Sequence, residues 1–146
     1  MNGADSLILT LLQGFFWFDD GLQAHLQARG WTEVTRPQSM VMTNVVIGVQ
    51  KPSDIARNLG VSRQSVHATI NQMVEKGMLE LVDDPDDGRA KIVVLSEVGQ
   101  RMRADADRAM GGMVELLKRR IGARNVEALV KAFREDWGDP PTPTST

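Results

Sequence analysis

Apolar side chains recur at helical spacing over most of this chain, and the pattern breaks into short strand-like runs only between Met78 and Leu95. Ile8, Leu11, Leu12, Phe15, Phe18, Leu22 and Leu26 predict a first helix from Ser6 to about Arg29, ended by Gly30. Leu7, Phe16 and Trp17 widen its apolar stripe beyond one core face, so the helix should be covered on a second side, most simply by a partner subunit. A second helix follows from about Pro37 to Ile47, with Thr35 as its cap and Pro37 in its first turn. Near the C-terminus, Val98, Met102, Ala106, Met110, Met113 and Leu117 mark a long helix capped by Ser96, with Glu97 at its positive end. Gly111-Gly112 falls inside that helix and predicts a bend or a close helix crossing. Val126, Leu129, Val130, Phe133 and Trp137 give a last helix from about Ala123 to Trp137.

The densest information lies between Pro52 and Gly99. Ser53 is placed to cap a short helix, Gly60 suits the left-handed residue that ends it, and Ser62 caps the next. Ile55, Ala56 and Leu59 form one apolar edge; Val61, Val66, Ile70, Met73 and Val74 form another that packs against it. Two helices joined by so short a turn make a helix-turn-helix, the scaffold that presents one helix to the DNA major groove. Residues 77–95 then read as a two-stranded hairpin, with Asp87-Gly88 as the turn signal and Arg89 near the tip.

The run Asp84-Pro85-x-Asp87-x-Arg89, followed by Leu95-Ser96-x-x-Gly99, resembles the wing and the following helix start of the MarR family of winged helix-turn-helix transcriptional regulators. The likeness extends from about Ser6 to Trp137. It implies a mainly α fold with a small β-hairpin wing, in a single domain over residues 1–137. Residues 6–35 and 97–137 would be dimerisation helices, and 37–96 a DNA-binding lobe. Residues 138–146, without apolar side chains, predict a mobile tail. By the resemblance, first and last helices of two subunits interlock, and the commonest mode is repression, with activation also known. It also implies a small, often aromatic or phenolic, effector between the dimer base and the lobes.

On the second helix of the pair, Gln64, Ala68 and Asn71 lie opposite the inward face, with Ser65, His67 and Gln72 on its shoulders and Arg63 in the first turn. Gln and Asn amides match the donor–acceptor edge of adenine, and Arg63 suits guanine or phosphate. Ala68 and the methyl of Thr69 fit a thymine methyl, and Ser62 and Ser65 fit phosphate oxygens. Arg89 on the wing suits a narrow minor groove, followed by Lys91 on phosphate. Asp83, Asp84, Asp86 and Asp87 crowd these two cations; Asp87 is the expected partner that aims Arg89. The competing readings are a merely solvated helix face and an exposed salt bridge of little energetic weight. Lys51 and Arg57 are further phosphate candidates. A dimer presenting two such helices expects an inverted-repeat site with half-site centres roughly 10 bp apart.

Composition narrows the alternatives. At 146 residues, 42% hydrophobic and 25% charged, the chain reads as one ordinary globular domain. A net charge of −2 argues against non-specific coating of nucleic acid, though not against a specific reader with clustered cations. The absence of cysteine removes disulfides, thiolate metal sites and thiol redox sensing. Leu7–Phe18 is apolar but too short to span a bilayer and is preceded by no Lys or Arg, so a cytoplasmic protein without membrane attachment is expected. Two distant histidines and no phosphate-binding loop leave no catalytic constellation, no cofactor and no metal site; His25 reads as a surface or interface residue. Phe15, Phe16, Trp17, Trp31, Met40 and Met42 come from segments able to line an effector cavity, but core packing accounts for each equally well, so none is assigned. The main rival function is a winged-helix protein-interaction module that does not bind DNA.

Overall fold

The computed structural model describes residues 6–143; residues 1–5 and the last three of the expected mobile tail lie outside the described residues. Its elements are α1 (Leu7–Ala28), α2 (Arg36–Val46), α3 (Pro52–Leu59), α4 (Arg63–Glu75), β1 (Leu79–Asp84), β2 (Asp87–Leu95), α5 (Glu97–Ile121) and α6 (Ala123–Arg134). The strands form one antiparallel pair, so the architecture is mainly helical with a hairpin wing. Two compact units are present, one ending at Met110 and the other starting at Gly111.

In the first unit, local chemistry sets each boundary. Thr35 caps α2 with a full capping box: its hydroxyl accepts from the Gln38 amide N–H, and the Gln38 side chain accepts from the Thr35 N–H. Ser62 caps α4 by accepting the Ser65 N–H at 3.0 Å. Gly60 ends α3 at φ 65°, a left-handed geometry that a side chain would strain. Ser53 is not the cap of α3. Pro52, preset for a first helical turn, starts the helix one residue earlier and makes Lys51 the flanking residue, with no side-chain cap.

The core gathers Val41 of α2, Ile55 of α3, Val66, Ile70 and Met73 of α4, Leu79 of β1 and Val93 of β2, all essentially removed from water. Val61 and Val74, expected on the same apolar edge, are instead 45% and 37% exposed. Val61 lies in the turn before α4, and Val74 falls to the side of the stripe that Val66, Ile70 and Met73 define. Beside the core, Asp19 is only 6% exposed, and its carboxylate accepts from the Ser39 hydroxyl at 2.7 Å and from the Arg36 guanidinium at 3.1 Å. Arg36 also pairs with Asp20 and lies 3.9 Å over the ring of Phe16. This polar joint fixes α2 against α1.

A second joint holds the segment after α1 to α5. Asp105 accepts from the Trp31 indole N–H at 2.7 Å and pairs with Arg108 and Arg29. The indole hydrogen bond first, then the guanidinium of Arg108, then Arg29, hold the Asp105 carboxyl at about 2 against the opposing effect of burial. The folded chain therefore favours the ionised form. That stabilisation is complete above the ordinary carboxylate range near pH 4 and disappears as the pH falls through about 2. Asp105→Asn is expected to lower the melting temperature near neutrality, with the difference from the native chain shrinking between pH 4 and 2. Thermal melts across that interval check it; a constant difference would contradict the assignment.

In the second unit, α5 runs unbroken through Gly111-Gly112, where a Cβ at either position would meet open space, so close packing within the chain is not what the glycines serve. α6 stops at Arg134, short of Trp137. That indole lies beyond the helix, stacks on Phe133 at 5.3 Å and donates to the Ala132 carbonyl. Residues 138–143 form no helix or strand. Among the described residues no helix is long and apolar enough to cross a membrane.

Candidate nucleic-acid interface

α4 turns Val66, Ile70 and Met73 inward, and the same periodicity turns Arg63, Gln64, Ser65, His67, Ala68 and Asn71 outward as one exposed row. Gln64, His67 and Asn71 make no side-chain hydrogen bond within the described chain, and Arg63 makes no ion pair. Their donors and acceptors remain available to a ligand that matches them. Thr69 is half-buried and its hydroxyl donates to the Ser65 carbonyl. Gln72 is bound from behind: its Oε1 accepts from Gln38 Nε2 at 2.9 Å.

Gln38 is a residue the sequence reading passed over as a possible support. Buried on α2, it also accepts from Lys76 Nζ at 2.9 Å, just past the end of α4. Asn44, likewise buried on α2, accepts from Asn58 of α3. The exposed row is thus carried by a helix anchored through its apolar face and through the buried Gln38 amide of α2, while Asn44 ties α3 to the same helix.

The wing departs from expectation at its tip. The turn is Pro85-Asp86, bracketed by Asp84 and Asp87, not Asp87-Gly88. Pro85 presets the turn, and the Asp84 carboxylate accepts the Asp86 N–H at 2.9 Å, so this local chemistry outcompetes the glycine signal. Gly88 keeps a negative φ and belongs to β2. The register passes from Asp84 opposite Asp87 to Asp83 opposite Lys91, leaving residues 88–90 without partners in an outward irregularity of β2. Arg89 lies at its centre, exposed and without an ion pair among the described residues. Asp87 does reach Arg89, but through the backbone: its carboxylate accepts the Arg89 N–H at 3.1 Å and leaves the guanidinium unpaired. Lys91 is tied across the ladder to Asp83 at 2.5 Å. The other phosphate candidates split, Arg57 pairing with Asp54 while Lys51 makes no ion pair among the described residues.

At its base the wing is locked to the lobe. The Val93 N–H donates to the Gln50 carbonyl, and the Ser96 N–H to the Met78 carbonyl. A helix pair, a hairpin closed against it, and a helix started by Ser96 together make a winged helix. The comparison with known sequences agrees: residues 32–90 match the family model described as MarR family. The winged lobe is similar to that of the MarR family.

Over 56 residues the chain is 41% identical to the protein Rv2011c of Mycobacterium tuberculosis and, equally, to Mb2034c of Mycobacterium bovis. Each match covers 38% of this chain and 39% of the relative, so it spans well under half the length of those curated proteins. Among solved structures, RV1404 from Mycobacterium tuberculosis aligns with a TM-score of 0.70 at 14% identity, covering 95% of this chain and 99% of that one. A MarR-family transcriptional regulator from Rhodococcus aligns at 0.68 and 15% identity over 92% and 94%. PcaV from Streptomyces coelicolor, solved with its natural ligand, aligns at 0.62 and 19% identity over 91% and 90%. These likenesses extend the shared fold beyond the winged lobe to nearly the whole chain.

The chain also holds a cavity of about 220 Å³ between α1, α2 and α5. Of the six aromatic and methionine candidates, only Met42 is in its walls. Phe16 is engaged by Arg36 and Trp31 by Asp105. His25 is exposed, its Nδ1 2.7 Å from the Gly21 carbonyl, and among the described residues no cluster of acidic or histidine side chains is placed to hold a metal.

Proposed function

We propose that this chain is a sequence-specific double-stranded DNA-binding transcriptional regulator, working as a homodimeric repressor released by a small-molecule effector. The observation that carries the reading is the row Arg63, Gln64, His67 and Asn71, exposed on a firmly anchored helix with its hydrogen-bonding groups unmatched among the described residues. In the groove, the helix N-terminus with Ser62 and Ser65 would grip phosphate, and the amides would read base edges. Arg89 on its outward irregularity would enter the neighbouring minor groove, with Lys91 on the backbone once released from Asp83.

The homodimer is supported by apolar surface that the chain leaves uncovered. Leu7, Ile8, Leu9, Leu12 and Phe15 of α1 are exposed, as are Leu129, Val130 and Phe133 of α6. An exposed apolar stripe on each helix is of the kind that marks an association site. A twofold pair would present two α4 helices to an inverted repeat with half-site centres roughly 10 bp apart. The effector is supported by the cavity and by the ligand-bound states of similar folds: PcaV with its natural ligand, and CouR from Rhodococcus jostii bound to p-coumaroyl-CoA. Release requires that the effector favour a conformation that does not bind DNA.

One observation favours a second reading, a protein-interaction module: the four aspartates of the wing tip, one of which holds Lys91. Titrating the chain's own upstream DNA against a scrambled duplex at several salt concentrations separates the two. A reader loses affinity steeply with salt, with a log–log slope of about −0.9 per neutralised phosphate, and prefers the upstream sequence. Equal, weak binding to both duplexes would favour the interaction module.

A further inference from the structure

We infer that the cavity between α1, α2 and α5 selects a small, uncharged, apolar molecule about the size of two fused rings, and refuses carboxylates. The inference deepens the effector part of the proposed function and rests on it. Leu22, Leu26, Met42, Val46, Met102 and Met110 make most of the wall. Three of these are unbranched thioethers, which adapt to the outline of an apolar guest. An aliphatic cavity of about 150 Å³ takes benzene, so about 220 Å³ suits a second ring.

The polar groups of the wall are engaged within the chain. Ser39 donates to Asp19, Gln23 donates to Asp19 and Ser39, and the Thr43 hydroxyl donates to the Ser39 carbonyl at 2.9 Å. The cations are engaged as well. Arg36 is held by both Asp19 and Asp20, and Arg103 at the rim faces Asp107 at 3.7 Å. Arg36 does not line the cavity, and the Arg103–Asp107 pair at the rim carries no net charge. A carboxylate entering here would lose water without gaining a counterion. The wall also reaches the reading helix: Ser39 lines the cavity, and its neighbour Gln38 holds Gln72 of α4.

Naphthalene and 2-naphthoate are the probes, followed by the melting temperature of the full chain and by the methyl resonances of labelled methionine. Naphthalene should raise the melting temperature saturably and shift Met42, Met102 and Met110 while leaving Met73 in place. 2-Naphthoate should bind roughly tenfold more weakly or not at all. Filling the space with Ala106→Phe or Val46→Phe should abolish the naphthalene response; the methionine shifts decide the matter even if both variants unfold. Tighter binding of 2-naphthoate, lost in Arg103→Ala, would overturn the inference, as would naphthalene shifts confined to other methionines. Operator titration is scored separately. No naphthalene binding with intact DNA recognition sinks this inference alone, whereas naphthalene binding without DNA recognition sinks the proposed function.

Discussion

Gly99→Ala is expected to destabilise the chain by about 3 kcal/mol, the upper part of the range for overpacked cores, lowering the melting temperature by roughly 10 °C. A Cβ at Gly99 would stand 2.1 Å from the carbonyl oxygen of Met78, a backbone atom with little room to retreat. That same oxygen accepts the Ser96 N–H at 3.0 Å. The Ser96 hydroxyl donates to the Gly77 carbonyl at 2.5 Å and accepts the Gly99 N–H at 2.9 Å. One added methyl therefore strikes the junction that starts α5 and closes the base of the wing. Gly111→Ala is the matched control: it is helical with open space at its Cβ, and should be neutral or gain up to about 1 kcal/mol. Paired thermal melts test both. Equal stability of the two variants would mean that the close approach at Met78 is not a constraint.

The second large effect concerns affinity. Arg63→Ala and Arg89→Ala should each weaken operator binding by about 1–3 kcal/mol, roughly five- to 150-fold, without altering the melting temperature. Both guanidiniums are exposed and free of ion pairs among the described residues, so nothing in the fold is lost with them. Salt dependence distinguishes their roles. A residue that binds phosphate reduces the slope by about one when removed, whereas one that reads a base edge relaxes sequence preference. Arg101→Ala, an exposed cation on α5 away from the row, should bind as the native chain does. Unchanged affinity in both wing and helix variants would favour the protein-interaction reading.

What the sequence makes legible follows from the range of the interaction. Val66, Ile70 and Met73 are readable because helical spacing alone aligns them, and the outward row follows from the same wheel. Thr35, Ser62 and Gly60 are readable because capping involves only three or four residues. Ser53 misleads where two local signals compete, and Pro52 prevails. The hairpin tip misleads for the same reason, since Asp84 and Pro85 build the turn before Asp87-Gly88 is reached. The Asp19–Arg36–Ser39 joint, Trp31 on Asp105 and Gln38 behind Gln72 join residues 17 to 74 positions apart. Their positions in the chain carry no trace of the pairing. The cavity between α1, α2 and α5 belongs to this group: of the six aromatic and methionine candidates, none of which the sequence could assign, only Met42 lies in walls that are mostly aliphatic and methionine.

Selection of bound duplexes from a randomised library, by the native chain and by Asn71→Ala, tests most directly whether the outward face of α4 reads bases. The native chain should yield an inverted repeat with half-site centres roughly 10 bp apart. Asn71→Ala should lose preference at one symmetric pair of positions and keep the rest. Recovery of no consensus by the native chain, or of an identical consensus by both proteins, would contradict the account.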